Sequence, residues 1–373
     1  MYADTVRSPD LRHAVPLMVP DPFLYLEHDG KALAVVSAME APRVREAAPA
    51  LEVASLERFG WDELLASGLT YEEAELEIAT RACHELGIGA AVVPPDFPLE
   101  LADSLRAAGI ELAVDRPLFA SRRRAKTETE LAGVRRAQRA CEAALDAARA
   151  LLRAAEPRDG VLHVDGAPIT CEGLKQVVER VFGEHDAAGD DFIVSHGAQT
   201  AIGHEPGHGP IAPGEPILFD LVPRDRATGC YSDMTRTYVV GEPSEEIREF
   251  HRLTLEALEQ ALAHTRAGAD GTALMRETCE LFHAAGYKTQ LHKEPGEVLE
   301  EGFFHSLGHG VGLEIHERPY LTRSGDELAV GDVVTLEPGL YRAGVGGVRL
   351  EDIVLVATDG CENLTRYPYD LAP

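Results

Sequence analysis

Residues 305–317 read His305-Ser306-Leu307-Gly308-His309-Gly310-Val311-Gly312-Leu313-Glu314-Ile315-His316-Glu317. Three histidines and three glycines share thirteen positions. Glycine permits positive φ and close approach of the backbone to a ligand. Imidazole is the commonest side-chain ligand of transition metals. Helical spacing would put His305 and His309 on one face, but Gly308, Gly310 and Gly312 argue against a stable helix. The stretch therefore predicts a strand entered through a glycine-rich bend. Leu313, Ile315 and Glu317 would face one way, Glu314 and His316 the other.

Just downstream, Val-Gly-Asp-Val-Val-Thr-Leu-Glu (330–337) ends an apolar strand on Glu337. It has a counterpart in Pro-Gly-Glu-Pro-Ile-Leu-Phe-Asp (213–220), which ends on Asp220. In each, the carboxylate stands six residues after a turn glycine. Further on, Asp233 and Glu351 each precede a β-branched run, and His204-Glu205-Pro206 echoes the passage from His316 to Pro319. The flanking segments repeat as well. Thr127, with Glu130 three residues on, reads as the capping box of a long helix ending before Pro157. A second helix spans about 170–182, and 191–240 is strand-rich. Two more helices follow, one capped by Ser244 and one over 272–285, and 303–357 is strand-rich again. A pseudo-twofold domain built this way brings Asp220, Asp233, Glu337 and Glu351 together between its halves.

Ahead of it, residues 1–125 alternate short strands (33–39, 90–93, 110–114) with helices (71–86, 99–108), the pattern of a small α/β layer domain. The basic segment Ser121–Lys126 is expected to be exposed and marks the boundary, giving domains 1–125 and 126–373. A chain of 373 residues is long enough for two cores. The net charge of −28 excludes nucleic acid and anionic membrane as natural partners, since both require basic surface. With no leader-like start and no apolar run near ~20 residues, the expected location is cytoplasmic. The six cysteines contain no C-x-x-C pair and read as small core residues.

An unpaired carboxylate in an apolar strand costs several kcal/mol or more. Arg236 and Arg349 offer salt-bridge partners for Asp233 and Glu351. Four carboxylates converging with His309 are better matched by two divalent cations, whose charge they balance. The oxygen-rich donor set suits Mn2+ better than a thiolate-type zinc site. Two such ions ~3.5–4 Å apart share a water and polarise a carbonyl, which is the chemistry of amide or ester hydrolysis.

The chain resembles the pita-bread metallopeptidases, in particular the branch of Xaa-Pro dipeptidases (prolidases) and aminopeptidase P. The 305–317 stretch carries the resemblance together with Asp-Met-Thr-Arg-Thr (233–237), Glu-Pro-Gly (337–339) and Arg-Leu-Glu-Asp (349–352). It covers about 127–370 and, more loosely, 1–125. It implies an α+β protein with a C-terminal pita-bread catalytic domain, creatinase- and aminopeptidase-like, behind a smaller creatinase-N-like domain. The metal ligands would be Asp220, Asp233, His309, Glu337 and Glu351, with Asp233 and Glu351 bridging two ions, Mn2+ first and Co2+ or Zn2+ as alternatives. His204 and His316 would hold the substrate, and Glu337 would shuttle a proton. Arg349 and Tyr231 would steady the ligands, where loss of such support costs roughly 10–100-fold.

The implied reaction is hydrolysis of an Xaa-Pro dipeptide with a metal-bridging hydroxide as nucleophile, by a cytoplasmic homodimer in which the N-terminal domain helps close the partner's site. Aminopeptidase P activity on longer peptides is the alternative. A creatinase-like hydrolase and a non-catalytic peptide-binding module are remoter, because both tend to lack ligands that are complete here. Two features depart from the family pattern. Gln199 stands where asparagine is usual, and 221–229 is about two residues longer, which makes Asp225 a rival to Asp220. Arg224, in that loop, is a candidate cap for a substrate carboxylate.

Overall fold

The computed structural model describes residues 1–373. The chain divides into two compact units, Met1–Arg123 and Arg124–Pro373.

In the first unit, Phe23–His28 and Lys31–Val36 form a hairpin. It turns on Asp29 and Gly30, both at positive φ (49° and 73°), as a tight hairpin turn requires. The 31–36 strand pairs in parallel with Glu52–Ser55. Ala90–Val93 pairs in parallel with Glu111–Val114 through the helix Leu99–Ala107. Leu24, Leu33 and Val35 bury one face of the hairpin, and Phe23, Tyr25, Ala34 and Val36 bury the other. That is the period-two alternation of a sheet covered on both sides. The helix Tyr71–Glu85 starts on a Thr70–Glu73 capping box.

The second unit opens with the helix Glu128–Arg153. Thr127 caps it and the Glu130 carboxylate reaches back to the Thr127 amide, the complete capping box. Its stripe Val134, Ala137, Cys141, Leu145, Ala148 and Leu152 is shielded from solvent, as its spacing predicts. The helix Cys171–Glu184 packs beside it. A three-stranded antiparallel sheet follows, with Pro216–Leu221 between Ile193–His196 and Met234–Val239. The helices Glu245–His264, capped by Ser244, and Gly271–Ala284 come next. A five-stranded sheet then runs in the order Glu317–Leu321, Gly308–Gly310, Val333–Leu336, Asp352–Ala357, Gly360–Asn363.

Each half thus contains the same antiparallel pair, 216–221 with 234–239 and 333–336 with 352–357. The halves are joined directly. The Glu351 amide donates to the Thr235 carbonyl at 3.0 Å, and the Thr237 hydroxyl exchanges hydrogen bonds with the Arg349 carbonyl and amide. This is the α+β pita-bread architecture.

Two local expectations are corrected. The strand near the histidines occupies the glycines themselves, 308–310, and residues 313–316 form a turn. Sterics explain this: a Cβ on Gly308 would lie 2.0 Å from the Thr335 carbonyl oxygen, and one on Gly310 would lie 2.5 Å from that of Arg318. Strand pairing is this close only where side chains are absent. The basic boundary segment is also less exposed than expected. It ends a helix, Arg116–Arg124. Arg124 pairs with the fully buried Asp332 carboxylate, and Lys126 pairs with Glu317, each side chain 3% exposed.

Substituting Gly308→Ala should therefore destabilise the second unit by about 1–3 kcal/mol, read as a lowered urea midpoint by fluorescence and circular dichroism. An unchanged midpoint would show that the 308–310 and 333–336 strands can separate without cost.

Candidate metal centre

The two antiparallel pairs place their acidic residues at equivalent ends. Asp220 is the fifth residue of the 216–221 strand, opposite Thr235, and Asp233 immediately precedes 234–239. Glu337 immediately follows 333–336, and Glu351 immediately precedes 352–357. His309 sits at a register shift, where the pairing jumps from His309–Tyr320 to Gly310–Glu317. A bulge of this kind re-aims a side chain. All five line one cavity of about 580 Å³ within the second unit.

The donor atoms of Asp233, His309 and Glu351 lie within 4.8 Å of one another, and all three residues are buried. His309 Nε2 is 3.9 Å from Asp233 Oδ2 and 3.5 Å from Glu337 Oε1. Asp220 meets the Arg349 guanidinium. Arg349 also donates to the Thr235 hydroxyl at 3.1 Å and the Tyr341 hydroxyl at 3.1 Å. Thr235 in turn donates to Glu351 at 2.6 Å. The carboxylates are therefore oriented from behind by a hydrogen-bonded frame, the arrangement that fixes ligands in metal sites.

The electrostatics fit a cation. Burial first, then the neighbouring carboxylates, push Asp233 and Glu337 well above the usual carboxylate range. The same causes raise Glu351 to about 7. Burial lowers His309 to about 3, so its imidazole is neutral, the form that binds metal. Asp233 Oδ1 is buried without a hydrogen-bond partner. An orphaned carboxylate oxygen inside a cluster of like charges is what a cation would satisfy, so these residues fit divalent metal.

The other expected residues divide into two groups. His204, His316 and Arg349 line the cavity. The His316 ring stands edge-to-face on His309, centroids 4.3 Å apart. Partial burial, then proximity to His204, lowers the His316 pKa. Arg224 and Tyr231 are not on the cavity wall. Arg224 forms an ion pair with Asp190 at 3.0 Å and lies over the Tyr231 ring, so its fork is already matched to a carboxylate of the protein.

Asp225 is not solvated as a turn residue would be. It is buried, takes two 2.9 Å hydrogen bonds from Arg136, and accepts from the Thr228 amide. That turn rests on the 128–153 helix at Gly133, where a Cβ would come 2.0 Å from Thr228 Oγ1. The longer loop is thus a docked structural feature, and Asp225 is committed away from the cavity.

Sequence reasoning did not find Tyr341 or the role of Thr235. The sequence pattern gives His305 no role. His305 donates to or accepts from the Tyr341 hydroxyl at 2.9 Å and lies 3.7 Å from Glu337. A histidine four residues before a ligand on the same strand entry was the available signal. Nothing in the sequence marked Tyr341.

The fold and the donor set define a metal-binding protein of the pita-bread class. Residues 132–358 match the model of metallopeptidase family M24, and the chain belongs to that family. It is 36% identical over 183 residues to an Xaa-Pro dipeptidase of Pyrococcus furiosus, covering 48% of this chain and 49% of that protein. A Pyrococcus horikoshii Xaa-Pro dipeptidase is 34% identical over the same length, with 48% of each chain covered. The match spans about half the length of these curated relatives. Among solved structures, an Xaa-Pro dipeptidase from Bacillus anthracis superposes with a TM-score of 0.80 at 25% identity, covering 98% of this chain and 93% of that one. An X-Pro aminopeptidase from Thermotoga maritima shares the fold equally well, with a TM-score of 0.80 at 23% identity and coverages of 99% and 96%. No helix is long and apolar enough to cross a membrane.

Two outcomes are expected. Asp233→Asn should lower Mn2+ bound per chain by at least half in dialysed protein, measured by atomic emission; full occupancy would remove Asp233 from the ligand set. Asp225→Asn should leave metal content unchanged but alter acid stability. Burial works against ionisation of Asp225, but Arg136 and Thr228 outweigh it, so the folded pKa is lowered. A lowered folded pKa contributes stability above the unfolded value, about 3.9, which is lost as pH falls through the folded pKa. The variant should lack that part of the loss below about pH 4; identical acid melting curves would refute the assignment.

Proposed function

We propose that this chain is a dinuclear metallopeptidase that hydrolyses the Xaa-Pro bond, acting on dipeptides. The observation that supports this most directly is a buried carboxylate–imidazole cluster on the wall of a cavity that also carries His204 and His316, in a chain of family M24. Asp220, Asp233, His309, Glu337 and Glu351 would hold two divalent ions, Mn2+ in the first instance. When bound, such ions supply a nucleophilic water at neutral pH and an electrophile for the scissile carbonyl.

The chain's own residues account for the remaining roles. Glu337, on the cavity wall with His309 Nε2 3.5 Å from its Oε1, can take a proton from the nucleophilic water and return it to the leaving amine, as general acid–base work requires. His316, kept neutral by its lowered pKa, can hydrogen-bond the substrate peptide group together with His204. Arg349 is a positioning group. It orients Asp220 directly and Glu351 through Thr235. Phe192, Val222, Phe304 and Ile315 give the cavity an apolar lining suited to a proline ring. Family likeness supports a homodimer in the cytoplasm, which light scattering and fractionation test.

One observation favours a second reading, aminopeptidase P activity on longer peptides. Arg224, the expected carboxylate cap, is occupied by Asp190, which leaves no identified cation for a dipeptide's free carboxylate other than the buried Arg349. Hydrolysis of an Xaa-Pro dipeptide and an Xaa-Pro-Yaa tripeptide, with Mn2+ and with chelator, separates the readings. Chelator-sensitive cleavage that favours the dipeptide is the expected result. Preference for the tripeptide would select the second reading, and cleavage of neither would reject both. His316→Ala should lower kcat/KM by roughly tenfold or more with metal content unchanged.

A further inference from the structure

The cavity histidine His316 rests edge-to-face on His309, and the next residue is held by a buried ion pair. Glu317 opens the 317–321 strand with its side chain 3% exposed, ion-paired to Lys126, itself 3% exposed. Lys126 directly precedes Thr127, the cap of the 128–153 helix. That helix is fixed by its buried stripe and its capping box, so Lys126 extends from a rigid anchor. Glu130, also buried, accepts from the Thr127 amide at 2.8 Å and so fixes the residue next to Lys126.

The turn between the 308–310 and 317–321 strands is drawn onto this pair. A Cβ on Gly312 would lie 2.6 Å from Glu317 Oε1 and 2.7 Å from Lys126 Cε. The Gly312 carbonyl accepts from the Tyr231 amide at 2.8 Å, and its amide donates to the Glu314 carbonyl at 3.1 Å. Both ends of the turn are therefore pinned, 312 by packing on the pair and 317 by the pair itself. His316 projects between them onto His309.

A buried ion pair gives little net stability against an apolar pair of the same volume. What it does supply is directional: a carboxylate held at one point by a cation that directly precedes the cap of a rigid helix. We propose that Lys126 is a positioning residue for His316, acting through Glu317. What His316 does to substrate rests on the peptidase reading above; its placement by Lys126 rests on geometry alone.

The test compares the wild-type chain with Lys126→Met, Lys126→Arg and the Lys126→Met/Glu317→Met double variant, each also in a His316→Ala background. Lys126→Met should lower kcat/KM for an Xaa-Pro dipeptide roughly ten- to a hundredfold, with bound Mn2+ unchanged. Lys126→Arg should recover most of it. The double variant removes both charges of the pair, so its melting temperature should lie above that of Lys126→Met while kcat/KM still shows the loss. In the His316→Ala background, Lys126→Met should change kcat/KM by less than about twofold, the coupling expected of two residues acting as one unit. An equal loss in both backgrounds, or full activity in the double variant, would overturn the proposal. The second readout needs no activity: the His316 imidazole signal, assigned by its absence in His316→Ala, should shift or broaden in Lys126→Met. A His316 signal identical to wild type would overturn the proposal even if no Xaa-Pro bond is cleaved, an outcome that would reject the peptidase reading separately.

Discussion

Negative charge buried in one small volume is the constraint on which the second unit turns. Asp233, Glu337 and Glu351 are each pushed towards protonation first by burial and then by neighbouring carboxylates, Asp220 acting on all three. Several kcal/mol per ion is the usual cost of such burial, so the fold must hold these groups in place against their own repulsion. It does so with backbone. The residues stand at strand ends whose register is set by ladders through apolar residues such as Ile217, Phe219, Val334 and Val354. Moving one carboxylate out of the cluster would mean slipping a whole strand, which turns every side chain on it to the other face. The Arg349 fork is the cation that reaches these carboxylates, spread over Asp220, Thr235 and Tyr341; Arg236, offered by the sequence as a partner for Asp233, is paired instead with the buried Asp352. A single guanidinium does not balance four carboxylates, which is why the cluster reads as a metal centre and not as a salt-bridge network.

The pseudo-twofold plan follows from the same constraint. One antiparallel pair presents at most two acidic strand ends on one side. Two pairs meeting through the Thr235–Glu351 and Thr237–Arg349 hydrogen bonds present four. Imidazole enters from a different device, the bulge at His309 and Gly310, which lets a histidine break the alternation and face inward. The glycines around it allow strands to approach closely, as Gly308 shows against Thr335. Repetition supplies the carboxylates, and irregularity supplies the histidines.

Legibility in the sequence tracks this difference. The repeat of 213–220 in 330–337 was visible because regular strands carry regular patterns, and so were the helices, whose caps at Thr127 and Ser244 stand where the spacing puts them. The irregular parts were not visible. Residues 313–316 have the alternation of a strand, but the turn there is set by Gly312 packing on Lys126 and Glu317, a contact spanning nearly two hundred positions of sequence. Asp225 stands in sequence between two arginines, Arg224 and Arg226, yet its partner is Arg136, far upstream. Tyr341 lies in the short hairpin 339–349 with nothing in its neighbours to mark it, and only the fold brings its hydroxyl to His305 and Arg349.

The basic segment 121–126 shows why charge alone misleads about exposure. Composition reads an Arg-rich run as solvated surface, and for Arg122, paired on the surface with Glu27, that is correct. For Arg124 and Lys126 the deciding quantity is the partner. Asp332 and Glu317 are carboxylates with almost no exposure, and a buried carboxylate left alone would cost several kcal/mol. Each cation is therefore drawn inward by an acid the fold has already buried. The first residues of the second unit are in this way tied to two distant buried acids, at 317 and at 332. A segment that looks like a linker then serves as a fastening: one turn carries the cavity histidine, and the other opens the strand that ends at Glu337.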